Sequence, residues 1–530
     1  MLDLFTSVLL YLVASGSAAT LSLNPSAATT TSIVQATSTI TVQNKKLAPD
    51  GYSRDTVVAN GVFPAPPLIG YKGGKFELTV KNQLSDTAMD LPTSIHWHGL
   101  FQKSTNYQDG VDMVTQCPII PGHSYEYKFS VPDQAGTFWY HSHYKTQYCD
   151  GLRGPLIIYD TNDPHASLYD VDDLNTIVTL ADWYHIVSPL ETLGAGAVAL
   201  PDATLINGKG RSLETLDADL AVITVTKGKR YRMRLVAIAC HPNWIWSIDS
   251  HTMTVIEVDG VNVQPYTVDS IQIYAAQRYS FILNANQPVN NYWIRAVSNL
   301  TPVGTIGGLN SAILRYSGAP AEEPTTSDIS SNRLNEQALK PLTAAAVPGS
   351  ATKDGADVNI NLDIEINPLT LHFTVNGDEY ERPSVPVLLQ ILNGANASEL
   401  LPKGSVFYVP KNKVIQVSFT QLVGAVGGPH PMHLHGHQFS VIRSASNSSY
   451  NYIDPPVRDT VSAGTVGDLV TIRFTTDNPG PWLLHCHIDW HFNAGLAIVF
   501  AEDPADTPTV DAPTTQWKDL CPVYDSYIAS

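Results

Sequence analysis

The chain has 530 residues and a formal net charge of -18, with 43% hydrophobic and 15% charged residues. That length exceeds one compact core and predicts two to four domains, and the apolar content excludes wholesale disorder. With no basic run, the acidic balance argues against nucleic acid or an anionic membrane surface as a partner.

The chain opens on MLDLFTSVLLYLVASGSAAT, in which an apolar stretch from about Leu4 to Ala14 runs into small residues. This is the order of a secretory signal, although the usual Lys or Arg start is missing. Residues 1–30 are therefore expected to be a signal peptide with a short pro-segment, and the mature chain to be secreted and extracellular. No later apolar run is long enough to span a bilayer, so a soluble chain with no membrane attachment is expected. Sequons at Asn299, Asn396 and Asn447 fit N-glycosylation of such a protein.

From there the chain reads as short strands cut by Gly, Pro and Asn. KFELTV, YEYKFSV, GTFWYHSH, SIQIY, RYSFIL, NYWIRA, VIQVSF, LVTIRF and LAIVFAE are rich in aromatic and branched residues and mostly alternate. No long stretch keeps a helical period, and the expected class is all-β, built of sandwiches or barrels.

Internal repetition organises these strands. FWYHSHYKTQYCDGLRGPLIIYD, from Phe138, aligns with WLLHCHIDWHFNAGLAIVFAED, from Trp482; the H-x-H pairs match, and Gly151-Leu152 falls on Gly495-Leu496. Upstream of each lies a further pair, HWHG at 96–99 and HLHG at 433–436. The two ends of the chain are thus copies of one domain. The stretch from about 165 to 320 has the same strand character, and its NYWIRA resembles GTFWYH without the histidines, so it reads as a third copy lacking ligands. GAPAEEPTTSDISSNRLNE, 318–336, reads as a linker. The expected boundaries are 31–163, 164–320 and 337–530.

Of 17 histidines, eight lie in four H-x-H pairs, His96/His98, His141/His143, His433/His435 and His485/His487. Chance would give roughly 0.5 such pairs, so random matching does not explain the set. Alternate strand residues face one side, which points both members of each pair the same way and lets four pairs from two related domains converge. Eight imidazoles are too many for one ion. Imidazole suits Zn, Cu, Fe and Ni, and the absence of a carboxylate cluster disfavours a di-iron or magnesium-type site.

The five cysteines are Cys117, Cys149, Cys240, Cys486 and Cys521. In an oxidising compartment an odd count leaves one thiol over, and Cys486 is the one already flanked by histidines. The other four make two disulfides, for which the sequence permits three pairings. If HCH is extended, Cys486 points away from His485 and His487 and serves a separate metal with His491 and His430. Two imidazoles, one thiolate and a weak or missing axial ligand describe a blue-copper electron-transfer site.

With HWHG, HSH, HPMHLHGH and HCHIDWHFNAGL in this order, the chain resembles the multicopper oxidases, and among them the secreted fungal laccases, over nearly its whole mature length. GTFWYHSHYKTQYCDGLRGPL, ATLINGKGR, VDSIQIYAAQRYSF and DNPGPWLLHCH agree. The resemblance implies three consecutive cupredoxin-like domains (Greek-key β-sandwich or barrel) and four copper ions: one type 1, one type 2 and two type 3. It implies one-electron oxidation of small phenolic or aromatic substrates coupled to four-electron reduction of dioxygen to water, in lignin or phenolic turnover, by a monomer. It places His430, Cys486 and His491 on type 1 copper and His96 and His433 on type 2. On type 3 it places His98, His141 and His487 on one ion and His143, His435 and His485 on the other. It also implies the disulfides Cys117–Cys521 and Cys149–Cys240.

Leu496 falls where the family carries its axial residue, and without a Met sulfur the potential is expected to exceed that of Met-ligated relatives. Asp109, in NYQDG, matches an acidic residue that supports proton delivery, the plain alternative being an exposed loop Asp. His241, in ACHPNW, stands where similar laccases often carry an acid in the substrate pocket. A His accepts a phenol proton only when neutral, above a pKa near 6.5, so activity is expected to persist toward higher pH than in Asp-bearing relatives. An unchanged pH profile in His241→Asp would remove that expectation. Two alternatives are a ferroxidase, which would want an acidic cluster at the type 1 site, and a copper electron-transfer protein without turnover, which would not need the eight-histidine cluster.

Overall fold

Strand Lys75–Gln83, KFELTVKNQ, buries Phe76, Leu78 and Val80 and turns the residues between them outward. This period of two marks a sheet with one covered face. A different pattern holds at Gly136–Ser142 and Gly480–Cys486, where every residue is buried. Such strands need cover on both faces, one from their own sandwich and one from a neighbouring sandwich.

The computed structural model describes residues 34–191, 198–343, 346–422 and 427–530; the proposed signal segment lies outside the described residues. Six sheets pair into three sandwiches. A four-stranded sheet (54–59, 37–47, 75–83, 124–130) and a five-stranded sheet (34–35, 68–71, 153–159, 136–142, 95–98) share one core. Next come a seven-stranded sheet spanning 177–284 and a five-stranded sheet ending on Ser311–Tyr316. Last come a six-stranded sheet containing Val414–Gln421 and a five-stranded sheet containing Gly480–Cys486. The largest buried side chains include Trp97, Trp139 and Trp482, each taking roughly 150–250 Å² out of water.

The repeat in the sequence is a repeat in topology. Gly136–Ser142, Asn291–Ser298 and Gly480–Cys486 occupy one place in their sheets, each between the strand that follows it and an earlier strand. NYWIRA is thus the middle counterpart of GTFWYH. The core around Gly480–Cys486 continues without a break into Trp139, Tyr148, Trp183 and Cys240, joining all three sandwiches at that point.

The stretch 318–336 has no regular element before the 3-10 turn Glu336–Ala338, yet it is pinned. Asn332 donates to Asp269, Arg211 pairs with Glu323, and Arg458 pairs with Glu336. Helix Thr515–Ile528, capped by the Thr514 hydroxyl, was not expected from the helical period. Trp517, Leu520 and Tyr524 bury its inner face against the first sandwich.

Candidate metal centre

The four H-x-H pairs sit on two pairs of adjacent strands, with His143, His435 and His487 one residue past a strand end. In the first sandwich His96 lies opposite His141, and in the third His433 lies opposite His485. Asp109 follows a short 3-10 turn, Asn106–Gln108, and Gly110 after it has φ +81 with no room for a Cβ, which would sit 1.7 Å from the Ile95 carbonyl oxygen. Only glycine lets this loop close onto the strand carrying His96. All eight histidines are buried, at 4% exposure or less.

Their nitrogens gather into sets. Donor atoms of His98, His141 and His487 lie within 4.8 Å of one another, as do those of His143, His435 and His485 and those of His96, His98 and His433. The rings of His98 and His433 stack at 3.7 Å, and His435 Nε2 lies 3.2 Å from His485 Nε2. A further set joins Cys486 to His430 and His491, with Sγ 3.6 and 3.7 Å from their Nδ1 atoms. Cys486 therefore has its partners away from those of His485 and His487, as the strand period demands.

The donor chemistry fits metal. His96, His141, His433 and His485 each direct Nδ1 to a backbone carbonyl, of Asp109, Ser142, Asp459 and Cys486 respectively, at 2.8–3.0 Å. His435 Nδ1 lies 2.9 Å from Asp109 Oδ2. The opposite nitrogens of His96, His141 and His433, with His143 Nε2, His487 Nε2 and His98 Nδ1, are buried without a hydrogen-bond partner. Buried polar atoms are normally satisfied, and an outward bond that fixes one nitrogen while freeing the other is how ligating imidazoles are held. Burial, with the neighbouring imidazoles, holds His98, His141, His143, His435, His485 and His487 well below the ordinary histidine range, in the neutral form a metal requires. Burial likewise pushes the Cys486 thiol up, so a thiolate here needs a cation beside it.

Around Cys486, Phe373 packs its ring 4.6 Å from His491 and 5.3 Å from His430. Leu496 is wholly buried, accepts from the Cys486 N–H at 3.1 Å and donates to the His491 carbonyl at 3.0 Å. His241 is not a surface residue: it is 5% exposed and its ring stands 5.1 Å from that of His491. Burial pushes its pKa down to about 4, which corrects the value near 6.5 assumed from sequence: the ring stays neutral well into the acid range. Asp109 is wholly buried, so the exposed-loop reading of it is excluded.

Other residues at the centre gave no local signal. Asp459 places Oδ1 3.3 Å from His98 Nε2 and is held by both terminal nitrogens of Arg278, 181 positions away. Trp139 lays its ring 4.2, 5.1 and 5.3 Å from His141, His98 and His487. His437, two residues beyond His435, shares the spacing of the pairs but lies 2.9 Å from Glu502 and joins no donor set among the described residues. Asp489 was visible within HCHIDWH; burial raises its pKa well above the carboxylate range.

The described disulfides are Cys117–Cys521 and Cys149–Cys240, with Cys486 free. Of the sequons, Asn396 caps a 3-10 turn with its side chain bonded to Glu399, Asn299 accepts from the Asn243 N–H, and Asn447 accepts from the Ser449 N–H.

Three family models, each described as multicopper oxidase, match residues 41–163, 175–319 and 380–506. The chain is 57% identical to a laccase of Pycnoporus cinnabarinus over 492 residues, 92% of this chain and 93% of that relative. It is also 57% identical to a laccase of Trametes hirsuta, over 92% and 94%. Among solved structures, a Botrytis aclada laccase superposes with TM-score 0.82 at 32% identity, covering 94% of this chain and 93% of that one. Fet3p, described as a multicopper oxidase that functions in iron import, superposes with TM-score 0.81 at 28% identity, covering 93% and 95%. Three sandwiches, converging imidazoles and a free buried cysteine agree with these likenesses, and the chain belongs to the multicopper oxidase family, whose metal is copper.

Proposed function

We propose that the chain is a laccase, taking single electrons from small phenolic or aromatic substrates and delivering four of them to dioxygen to form water. The observation that carries this reading is the His485-Cys486-His487 segment, whose cysteine belongs to one donor set while its two bonded neighbours belong to others. Copper, when bound, supplies one-electron acceptance at the first set and oxygen reduction at the others. In this reading His430, Cys486 and His491 hold type 1 copper, and His96 and His433 hold type 2. His98, His141 and His487 hold one type 3 ion, and His143, His435 and His485 the other, four coppers in all.

The residues then divide the work. His491 and the neighbouring ring of His241 form the edge at which substrate gives up its electron, with His241 neutral and able to take the hydroxyl proton. Phe373 and Leu496 would keep water from Cys486, and the Leu496 side chain would offer copper no donor atom. With copper bound, the peptide bonds on either side of Cys486 would offer a covalent path between the donor sets. Asp109 orients His96 and His435 and holds a carboxylate where protons are consumed.

The same reading covers domains at 31–163, 164–320 and 337–530, a secreted glycosylated monomer, and turnover of lignin or other phenolics. Oxidation of ferrous iron is the second possibility, since Fet3p shares the fold, but identity to it is 28% against 57% to the laccases. Copper quantitation with oxygen uptake separates the two. A laccase holds about four coppers, on the ligand count, and consumes oxygen with a phenol; uptake on ferrous iron alone would overturn the reading.

A further inference from the structure

Asp182 is wholly buried at the end of strand Ile177–Trp183, and its carboxylate collects four donors. Arg153 Nη1 lies 2.8 Å from Oδ1, and the Tyr184 hydroxyl donates to Oδ2 at 2.8 Å. The other two are consecutive backbone N–H groups, of Cys240 at 3.0 Å from Oδ1 and of His241 at 3.0 Å from Oδ2. A buried ion pair needs further hydrogen bonds to satisfy the lone pairs that the arginine leaves free. Two successive N–H groups converging on one anion also fix the path of the backbone that bears them.

That backbone ends at the His241 ring, 5.1 Å from His491 and nearly perpendicular to it at 75°. A second arm reaches the same imidazole from behind. The Tyr184 hydroxyl accepts the Trp490 indole N–H at 3.3 Å, and Trp490 is the bonded neighbour of His491. The Cys240 carbonyl accepts the Asp489 N–H at 2.9 Å, tying the two arms together. One carboxylate thus grips both the residue beside His491 and the helix that carries His491, with Arg153 anchoring it to the first sandwich.

We propose that Asp182 is a positioning residue of the substrate edge: it fixes where the His241 ring stands against His491, and so how a phenol hydroxyl is received. Asn in its place cannot repeat the arrangement, because its NH2 would face one of the donors it must accept.

The inference rests on the laccase reading above. Parent enzyme that takes up no oxygen with any phenol would defeat that reading; the comparison of variants with an active parent tests this one. In copper-loaded Asp182→Asn, KM for a phenol is expected to rise roughly tenfold, within the 10²-fold that a small misplacement of a substrate-positioning group costs. KM for ferrocyanide, which has no hydroxyl to place, should stay with the parent. In a His241→Ala background the same substitution should add nothing further to the phenol KM. Parallel changes for both donors, an unchanged phenol KM, or an undiminished effect in the His241→Ala background would overturn the proposal. Should Asp182→Asn fail to fold, Tyr184→Phe decides. It removes the hydroxyl that donates to Asp182, and it should raise the phenol KM while leaving that for ferrocyanide with the parent; a parent phenol KM, or parallel changes for both donors, would overturn the proposal.

Discussion

Two side chains beside the donor sets lend themselves to single substitutions. Leu496 is wholly buried next to His491 and Cys486 in the chain's hydrogen bonding. Leu and Met have similar volumes, so Leu496→Met should cost less than about 1.5 kcal/mol of stability while offering sulfur to the copper. Redox titration should show a lower type 1 potential than in the parent; an equal or higher value would deny Leu496 the axial place. Asp109 acts on the other side, with its carbonyl on His96 and its carboxylate on His435. Asp109→Asn keeps the shape and removes the charge, and kcat should fall about 10–100-fold, as for other partners of ligating histidines. In stopped flow the slow step should be reoxidation by oxygen, with reduction by phenol at the parent rate.

Among the elements, the strands Gly136–Ser142 and Gly480–Cys486 matter most, because burial on both faces lets one strand serve its own core and the centre between sandwiches. Helix Thr515–Ile528 has a different role. Cys521 on it bonds to Cys117, 404 positions earlier, and Trp517 donates its indole N–H to the Thr115 carbonyl at 2.9 Å. Loss of a native disulfide typically costs about 2–5 kcal/mol. Cys521→Ser should therefore unfold at a lower temperature by calorimetry and be clipped sooner by protease near its C-terminus. The type 1 spectrum should be unchanged, since Cys521 lies in none of the donor sets.

Across the whole molecule the sandwiches are locked by buried charge. Glu257 of the second sandwich accepts from the Thr137 N–H of the first at 2.6 Å and lies 2.6 Å from Arg232. Burial opposes its charged form, but Arg232 and Arg234, with the Ser280 and Thr137 bonds, outweigh that and hold its pKa at about 2 against an ordinary 4.5. A depressed carboxylate contributes its full stability above the unfolded value and loses it as pH falls through the folded one. The contribution is about 3 kcal/mol at neutral pH, and it vanishes between pH 4.5 and 2. Glu257→Gln should melt lower than the parent at neutral pH and show a shallower fall in melting temperature across that acid window; parallel curves would deny Glu257 the role.

The sequence by itself determined the all-β class, the threefold repeat and the histidines that converge. Each follows from a local rule: a period of two puts His485 and His487 on one side of a strand and Cys486 on the other. It also marked Cys486 as the thiol left over, parity leaving one cysteine and the flanking histidines picking it out. Helix Thr515–Ile528 leaves a weak trace in the sequence because Pro522 lies inside it and its buried face is only Trp517, Leu520 and Tyr524. What only the tertiary structure decided are contacts between residues far apart in sequence. Asp459 reaches Arg278 across 181 positions and Asp182 reaches the His241 N–H across 59. The lowered pKa of His241 belongs here too, because its burial comes from tertiary packing, with His491 against its ring, rather than from any residue type.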